Sequence, residues 1–479
     1  MRADSIENLR AFLDLERLYQ QPDITLAEEM NAATMSLAKQ VEIDHPAFSK
    51  ERRLREGFTV KGWEKPIEFL AVPRIIKEER FKKSLDNTIL IDRLINLAIV
   101  FLLSDGSKRK MLLETLPDFE RGLIEAFFGP DFHPNEIADL IKSSPYYGRL
   151  DQLIMAPENA NYDSSYSYAE NDTNAGLAPI EMNRNGPEGL WYNHVVQLLY
   201  NQLYGFEPPV DSLNFVEEML RLLALQTNKA QPVLGLVAPP DSIISVIELP
   251  RIAEEINRRN RGFQCIYGNT DELDIMGSDV FLNGVKISAI WRNWGVQIQG
   301  DPKKTLNLYK TRTPILNPPH SFLGGLKVMF AIISTNQEFK KQLPPELIKV
   351  VDDLIPRTYL LTSSQDFDTL PRAEFIYKPA YSSHGNGVTS DAEKAFSSVR
   401  DKRVPYIAQI MVPPNSPKIE SAHLSRDGLK IEPAFGDLNM YLYANPNGSV
   451  NTGLMVARFK DTHPINVAQG GGCGTAYAI

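Results

Sequence analysis

Apolar positions recur at helical spacing through the first 145 residues. Ile6, Leu9, Phe12 and Leu13 form one such run, and Met111, Leu112, Leu116 and Phe119 another. A period near 3.6 sets these side chains on one helix face. Short polar breaks separate the runs and no hairpin signal intervenes, so residues 1–145 are expected to form a helical region. Its most apolar stretch is TILIDRLINLAIVFLLSDG (88–106). Asp92 and Arg93 interrupt it, leaving a run too short for the roughly 20 apolar residues a bilayer requires. The expectation is a buried helix.

From 146 the pattern changes. YGRLDQLIM (147–155) reads as a strand, and the Asn/Ser/Tyr-rich stretch 157–176 has loop composition. LAPIEMNRNGPEG (177–189) is a short apolar strand opening into Asn, Gly and Pro. A helix over 190–204 is expected to present Val195, Leu198, Leu199 and Leu203 on one face. PVLGLVA (232–238) is a strand, and Asp241 and Ser242 are candidate caps of a helix to about Asn260 that Pro250 should kink or interrupt. FQCIYG (263–268) is a second strand, DVFLNGVKI (279–287) a hairpin around Asn283-Gly284, and SAIWRNW (288–294) another strand. Strand–helix–strand order implies a parallel pair. Beyond 315, a helix over 323–340 and strands near 374–379, 404–411, 439–443 and 453–459 alternate with Gly-rich turns. No internal repeat is visible.

The chain has 479 residues, too many for one ordinary domain. With 43% hydrophobic and 23% charged residues it is globular, neither disordered nor collagen-like. A net charge of −9 argues against a general nucleic-acid binder, which needs a basic face, but leaves room for a local basic pocket for a nucleotide. Two cysteines, Cys265 and Cys473, cannot build a disulfide framework or a Cys-rich zinc site, and the seven histidines lack metal-ligand spacing. The start, MRADSIENLRAFLDLERLYQ, lacks an apolar signal core, so a cytoplasmic location is expected.

Four motifs could carry chemistry. In FIYKP, a strand delivers Lys378 into a turn containing Ser382, Ser383, His384, Gly385, Asn386 and Gly387. Such a turn can offer N–H groups to phosphate oxygens beside a fixed cation, although a hairpin with an exposed lysine would read the same. In PYIAQIMVPP (405–414), the main chain at Gln409, Ile410 and Met411 could meet an adenine ring, or the segment is an ordinary buried strand. A third strand projects Arg458 and Lys460 to one face and leads to Gly470, Gly471, Gly472 and Cys473, a candidate lid. The fourth motif pairs Arg149-x-Asp151 with Glu181-x-Asn183. Carboxylate and amide oxygens are hard ligands suited to Mg²⁺ when phosphates complete the octahedron.

Together the motifs resemble the ATP-grasp superfamily, in which an R-x-D strand is followed by an E-x-N strand and a Pro/Gly turn, as in D-alanine–D-alanine ligase. The order here, with these strands ahead of the nucleotide lysines, is similar to the circularly permuted arrangement of eukaryotic glutathione synthetase. The resemblance covers about 145–479 in pattern. It implies an α/β and α+β multidomain fold, divided as a helical region (1–145), a permuted metal-binding part (146–230), a Rossmann-like pre-ATP-grasp unit (231–315) and nucleotide-binding subdomains with lid loops (316–479).

By the same resemblance, Lys327, Lys378 and Lys460 would line the phosphates, and Asp151, Glu181 and Asn183 would hold Mg²⁺. Arg149 and Arg458 would be catalytic, Arg458 also meeting the acceptor-side substrate, and Arg292 would face the cleft from a strand end. Where the eukaryotic synthetases place an acid shortly after Lys-Pro, this chain has Tyr381-Ser382-Ser383, so Asp151 is taken as the third metal ligand ahead of Asp437. Cys473 has no activating neighbour in sequence and is read as a small lid residue. The implied cofactors are ATP and Mg²⁺, and the implied partners a small-molecule carboxylate and an amine, with a homodimer as the commonest prior. The implied activity is an ATP-dependent carboxylate–amine ligase acting through an acyl phosphate. A kinase or phosphotransferase, a non-catalytic ATP-grasp binding protein, and an unrelated α+β protein are the alternatives.

Overall fold

The computed structural model describes residues 69–478 apart from 71–73, 77, 129–133, 156–175, 185, 205–206, 209, 241, 243–244, 294–300, 312, 372–373, 382–386, 403, 412–418, 426–427, 446, 462–464 and 466–470. The Ile6–Leu13 run and the proposed cap at Asp241 lie outside the described residues. So do the turn residues Ser382, Ser383, His384, Gly385 and Asn386, and also Gly470.

In chain order the strands are β1 (Phe69–Leu70), β2 (Arg74–Ile76), β3 (Tyr146–Met155), β4 (Gly176–Asn183), β5 (Val233–Ala238), β6 (Gln264–Asn269), β7 (Leu273–Met276), β8 (Asp279–Leu282), β9 (Val285–Ile287), β10 (Ala289–Arg292), β11 (Ile315–Leu316), β12 (Thr358–Leu361), β13 (Phe375–Pro379), β14 (Tyr406–Ile410), β15 (Ile419–Ser425), β16 (Gly428–Ala444), β17 (Val450–Lys460) and β18 (Gly472–Ala478). They form one large sheet, ordered β15-β1-β18-β17-β16-β3-β4 with β2 on β18, a parallel sheet β11-β10-β5-β6, and two three-stranded sheets, β12-β14-β13 and β7-β8-β9. The result is a mixed α/β architecture.

Alternation gives the large sheet two different faces. On one, Leu150, Leu438, Met440, Leu442, Met455, Ala457 and Phe459 are buried, and the helix Glu78–Leu103 packs over them through Phe81, Ile91, Leu94 and Ile95. That helix contains the apolar stretch of 88–106. Among the described residues no helix is long and apolar enough to cross a membrane. Among the described residues, the opposite face buries an apolar cluster at one end. There Tyr147, Tyr441 and Tyr443 pack with the helix Ser212–Leu225 and the strands β5 and β10.

Local expectations hold unevenly. β5 and β6 are parallel and joined by the helix Ser245–Arg259, and the Asn283-Gly284 turn has φ of 52° and 74°, the left-handed pair a type I′ hairpin needs. Pro250 does not break the helix, which runs through it. In the helix Leu190–Tyr204, Leu198 is exposed. The buried positions include Asn193, Val196, Gln197 and Tyr200. Two of these are polar and were invisible to an apolar count. Asn193 donates to Ser212 Oγ (2.8 Å), and Gln197 both donates to Val210 O and accepts from Ser212 N–H.

The single helix expected over 323–340 is three: Pro319–Gly324, Val328–Thr335 and Gln337–Lys340. Asn336 stops the second, and its side chain accepts from Phe339 N–H to start the third. The helical N-terminal region also contributes β1 and β2 to the large sheet. The expected strand 439–443 is the C-terminal part of the long β16, whose first half pairs with β15 and second half with β17 and β3.

Candidate active site

Strand register assembles the site. β3 and β4 are antiparallel, with Arg149 opposite Asn183 and Asp151 opposite Glu181. β16 lies on the other side of β3, with Tyr441 opposite Arg149 and Asn439 opposite Asp151. β17 follows, with Arg458 opposite Asp437 and Lys460 opposite Phe435, and β18 sets Cys473 opposite Arg458. Directly opposed residues share a face. Side chains from five strands, spread over more than 300 positions, therefore stand on one side of the sheet.

At its centre two arginines and two aspartates neutralise one another. Arg149 Nε lies 2.6 Å from Asp151 Oδ1, and Arg149 Nη2 3.1 Å from Oδ2. Arg458 Nη2 reaches Asp151 Oδ2 at 2.9 Å, and Arg458 Nε reaches Asp437 Oδ2 at 3.0 Å. Asn439 donates to Asp437 Oδ1 (2.7 Å). Burial opposes ionisation of Asp151, but the two guanidiniums outweigh it and hold the carboxyl below its ordinary range. Asp437 is pushed up, because burial there exceeds the help from Arg458.

A second cluster lies at β4 and the small sheet β12-β14-β13. Lys378, buried on β13, donates to Gln409 Oε1 on β14 (2.8 Å). Gln409 Nε2 in turn donates to Ile180 O of β4 and to Thr358 Oγ1, both at 3.2 Å. The glutamine thus ties the lysine strand to the strand that carries Glu181. Lys327, just ahead of the helix Val328–Thr335, lies 3.7 Å from Glu181. Burial lowers the Lys378 ammonium from its usual range; Glu181 and Asp151 oppose the shift and Lys327 adds to it. After Lys378 the chain turns back, and Tyr377 and Thr389 exchange backbone hydrogen bonds at 2.8 and 2.9 Å. Gly387, whose carbonyl accepts from Tyr406 OH (3.3 Å), closes that turn.

Several expectations need correction. Asp151 does not present an open carboxylate, since both its oxygens are engaged by guanidiniums. Among the described residues no three His, Cys, Asp or Glu side chains converge as a metal cage. Glu181 and Asn183, on one face of β4, fit the alternative of a Mg²⁺ held mainly by phosphates with one or two protein ligands. Arg458 is buried among Asp437, Asp151 and Asn439 rather than facing open space. Ile410 N–H donates to Arg357 O and Met411 N–H to Glu374 O, both at 2.8 Å, so these main-chain donors are spent. Gly472 and Cys473 belong to β18 and are not lid residues, and Gly471 is buried beside them. Arg292 is buried at the end of β10, its Nε donating to Asn317 O (2.7 Å).

Sequence reasoning missed a polar network beside Arg149. Arg149 Nη1 and Tyr441 OH both donate to Glu188 O, while the Glu188 carboxylate accepts from Ser242 and Ser245 hydroxyls. Ser245 Oγ also accepts from Asn293 Nδ2 (2.9 Å). Glu248 receives the Gly189 and Trp191 N–H groups at the start of the helix Leu190–Tyr204, and burial pushes its carboxyl up to about 8. The only signal for Glu188 was its place after Gly-Pro. The sequence offers Ser242 as a helix cap, and nothing local marks Ser245 or Glu248.

No family model matches the chain, and no curated protein matches it either. Among solved structures, a glutathione synthetase-like effector (GSS30) from Globodera pallida in apo form is similar over 96% of this chain and 98% of that one, with a TM-score of 0.59 and 13% identity. A putative gamma-glutamylcysteine synthetase from Methylobacillus flagellatus KT aligns over 74% of this chain and 82% of its own at 12% identity, with a TM-score of 0.37. The first comparison shows a shared fold.

Proposed function

We propose that the protein is an ATP-dependent ligase joining a carboxylate to an amine through an acyl phosphate. One observation carries the reading: Arg149-x-Asp151 and Glu181-x-Asn183 are neighbouring antiparallel strands, and Gln409 links the second of them to Lys378. The fold shared with a glutathione synthetase-like effector adds support.

In this reading a substrate carboxylate oxygen attacks the γ-phosphorus of ATP, and ADP leaves with the electron pair of the broken P–O bond. The amine nitrogen then attacks the acyl carbon, loses a proton, and phosphate departs. Lys327, Lys378 and Lys460 neutralise phosphate oxygens, and Lys378 must be protonated to do so. Its buried pKa is lowered in the free protein, and an arriving phosphate would raise it again. Arg149 and Arg458 meet carboxylate oxygens once Asp151 shares them. Glu181 and Asn183 would hold Mg²⁺, which supplies charge neutralisation at the phosphates. The permuted motif order and the division near 145, 230 and 315 belong to the same proposal.

A second reading, a nucleotide-binding protein without turnover, is favoured by one feature, the closure of Asp151 by two guanidiniums. Phosphate release from Mg-ATP, measured against carboxylates and amines singly and in pairs, separates the two. Release that needs both compounds and is lost in Glu181→Ala is the expected result. ADP formation with one compound and no amine would instead mark a phosphotransferase. ADP binding without release under any pair would favour the second reading, and no ADP binding would sink both.

A further inference from the structure

We infer that Arg184 is a positioning residue that sets Lys327 against Glu181; the inference rests on the nucleotide-binding reading above. Arg184 follows the Glu181-x-Asn183 strand and turns inward, with its side chain 1% exposed. Its guanidinium pairs with Asp92 of the helix Glu78–Leu103, donates from Nη1 to Asn96 Oδ1 (2.7 Å) and from Nη2 to Asp92 O (3.0 Å), and lies 4.5 Å over the Tyr146 ring. Tyr146 OH closes the group by donating to Asp92 Oδ2 (2.7 Å). Arg184 O accepts from Asn317 Nδ2 (3.1 Å), and Asn317 Oδ1 accepts from Tyr147 N–H (2.7 Å).

Two glycines make room for this side chain. A Cβ on Gly148 of β3 would lie 3.0 Å from Arg184 Cγ, and one on Gly324 would lie 2.6 Å from Nη1 and 2.8 Å from Cδ. A Cβ on Gly325 would come within 3.1 Å of Arg184 N. Gly324 and Gly325 end the helix Pro319–Gly324, and Lys327 follows two residues later. Arg184 is therefore wedged between the strand that carries Arg149 and Asp151 and the turn that delivers Lys327. It is bonded on its far side to a third element. A buried ion pair gains little over apolar packing of equal volume, so stability alone does not account for a charged side chain here. Fixing the turn against β4 does, because a lysine misplaced by about 1 Å would lose much of its grip on a phosphate.

The test uses the full chain and ADP with Mg²⁺ as probe, reading ADP affinity and the thermal midpoint together. Gly324→Ala leaves every charge in place but crowds the guanidinium; it is expected to weaken ADP binding about tenfold or more. The double variant Asp92→Leu/Arg184→Met removes the buried charges as a pair; it is expected to keep a parent-like midpoint and still bind ADP about tenfold more weakly. Parent-like ADP affinity in either variant would overturn the inference and reduce Arg184 to a core contact. If the double variant does not fold, Gly324→Ala decides alone. Failure of the parent itself to bind ADP would overturn the nucleotide-binding reading, and this inference with it.

Discussion

On the large sheet, Arg149, Arg458, Asp151 and Asp437 carry two positive and two negative charges, little exposed and mutually bonded. Beside the small sheet, Lys327 lies 3.7 Å from Glu181, and Lys378 donates to the neutral Gln409 while Glu181 and Asp151 act on it from nearby. The first cluster satisfies itself: its carboxylates accept what the guanidiniums donate, and adding a ligand means breaking bonds already made. In the second, Lys378 is held by the neutral amide of Gln409, and burial lowers its ammonium from the usual range. A buried ammonium on a neutral acceptor favours an arriving anion. In the proposed function the phosphates lie on the lysine side for that reason.

The largest expected effect breaks the first cluster. Arg458→Met strands Asp437 in the interior, takes one of two guanidiniums from Asp151, and should cost about 3–5 kcal/mol of stability in denaturant unfolding. Adding Asp437→Asn should recover a part of the loss. A cost near zero would mean the cluster is solvated and not self-satisfied.

Lys378→Met breaks the second cluster, and the outcome should be opposite in kind. A charge-assisted hydrogen bond is worth about 1.5–3 kcal/mol, so ADP affinity should fall about tenfold to a hundredfold, while the unfolding midpoint holds or rises. A large loss of stability with unchanged affinity would remove the distinction between the clusters.

The smallest effect is a pH slope. The folded pKa of Lys378 lies below its unfolded value of 10.5. Between the two, the unfolded chain binds more protons, so stability should climb as pH rises toward 10.5. Denaturant midpoints of the parent and Lys378→Met, compared across the alkaline range, should differ by that climb, which the variant lacks.

The strands bearing the chemistry were legible because alternation and turn residues mark them locally. Arg149, Asp151, Glu181 and Asn183 were found on two short runs, and register then made them neighbours. The pairing of Asp151 with Arg458, 307 positions away, is not legible in its spacing from Arg149. The segment around Gln409 stands out in the sequence for its backbone, yet the Gln409 side chain does the linking. Arg184 passed unremarked, since nothing local distinguishes a buried arginine from an exposed one; only Asp92, on a distant helix, does.

By itself the sequence determined the helical period over much of 78–143, the turn at Asn283-Gly284, and a set of lysines and carboxylates suited to phosphate chemistry. These follow from interactions within a few residues, which a linear pattern records. The tertiary structure alone decided which charges meet. Asp151 and Asp437 share Arg458, and Lys378 and Lys327 share Glu181, through strand pairings that span hundreds of positions. Coulomb energy and desolvation depend on distance in space and on burial, and neither is written in the spacing of residues along a chain.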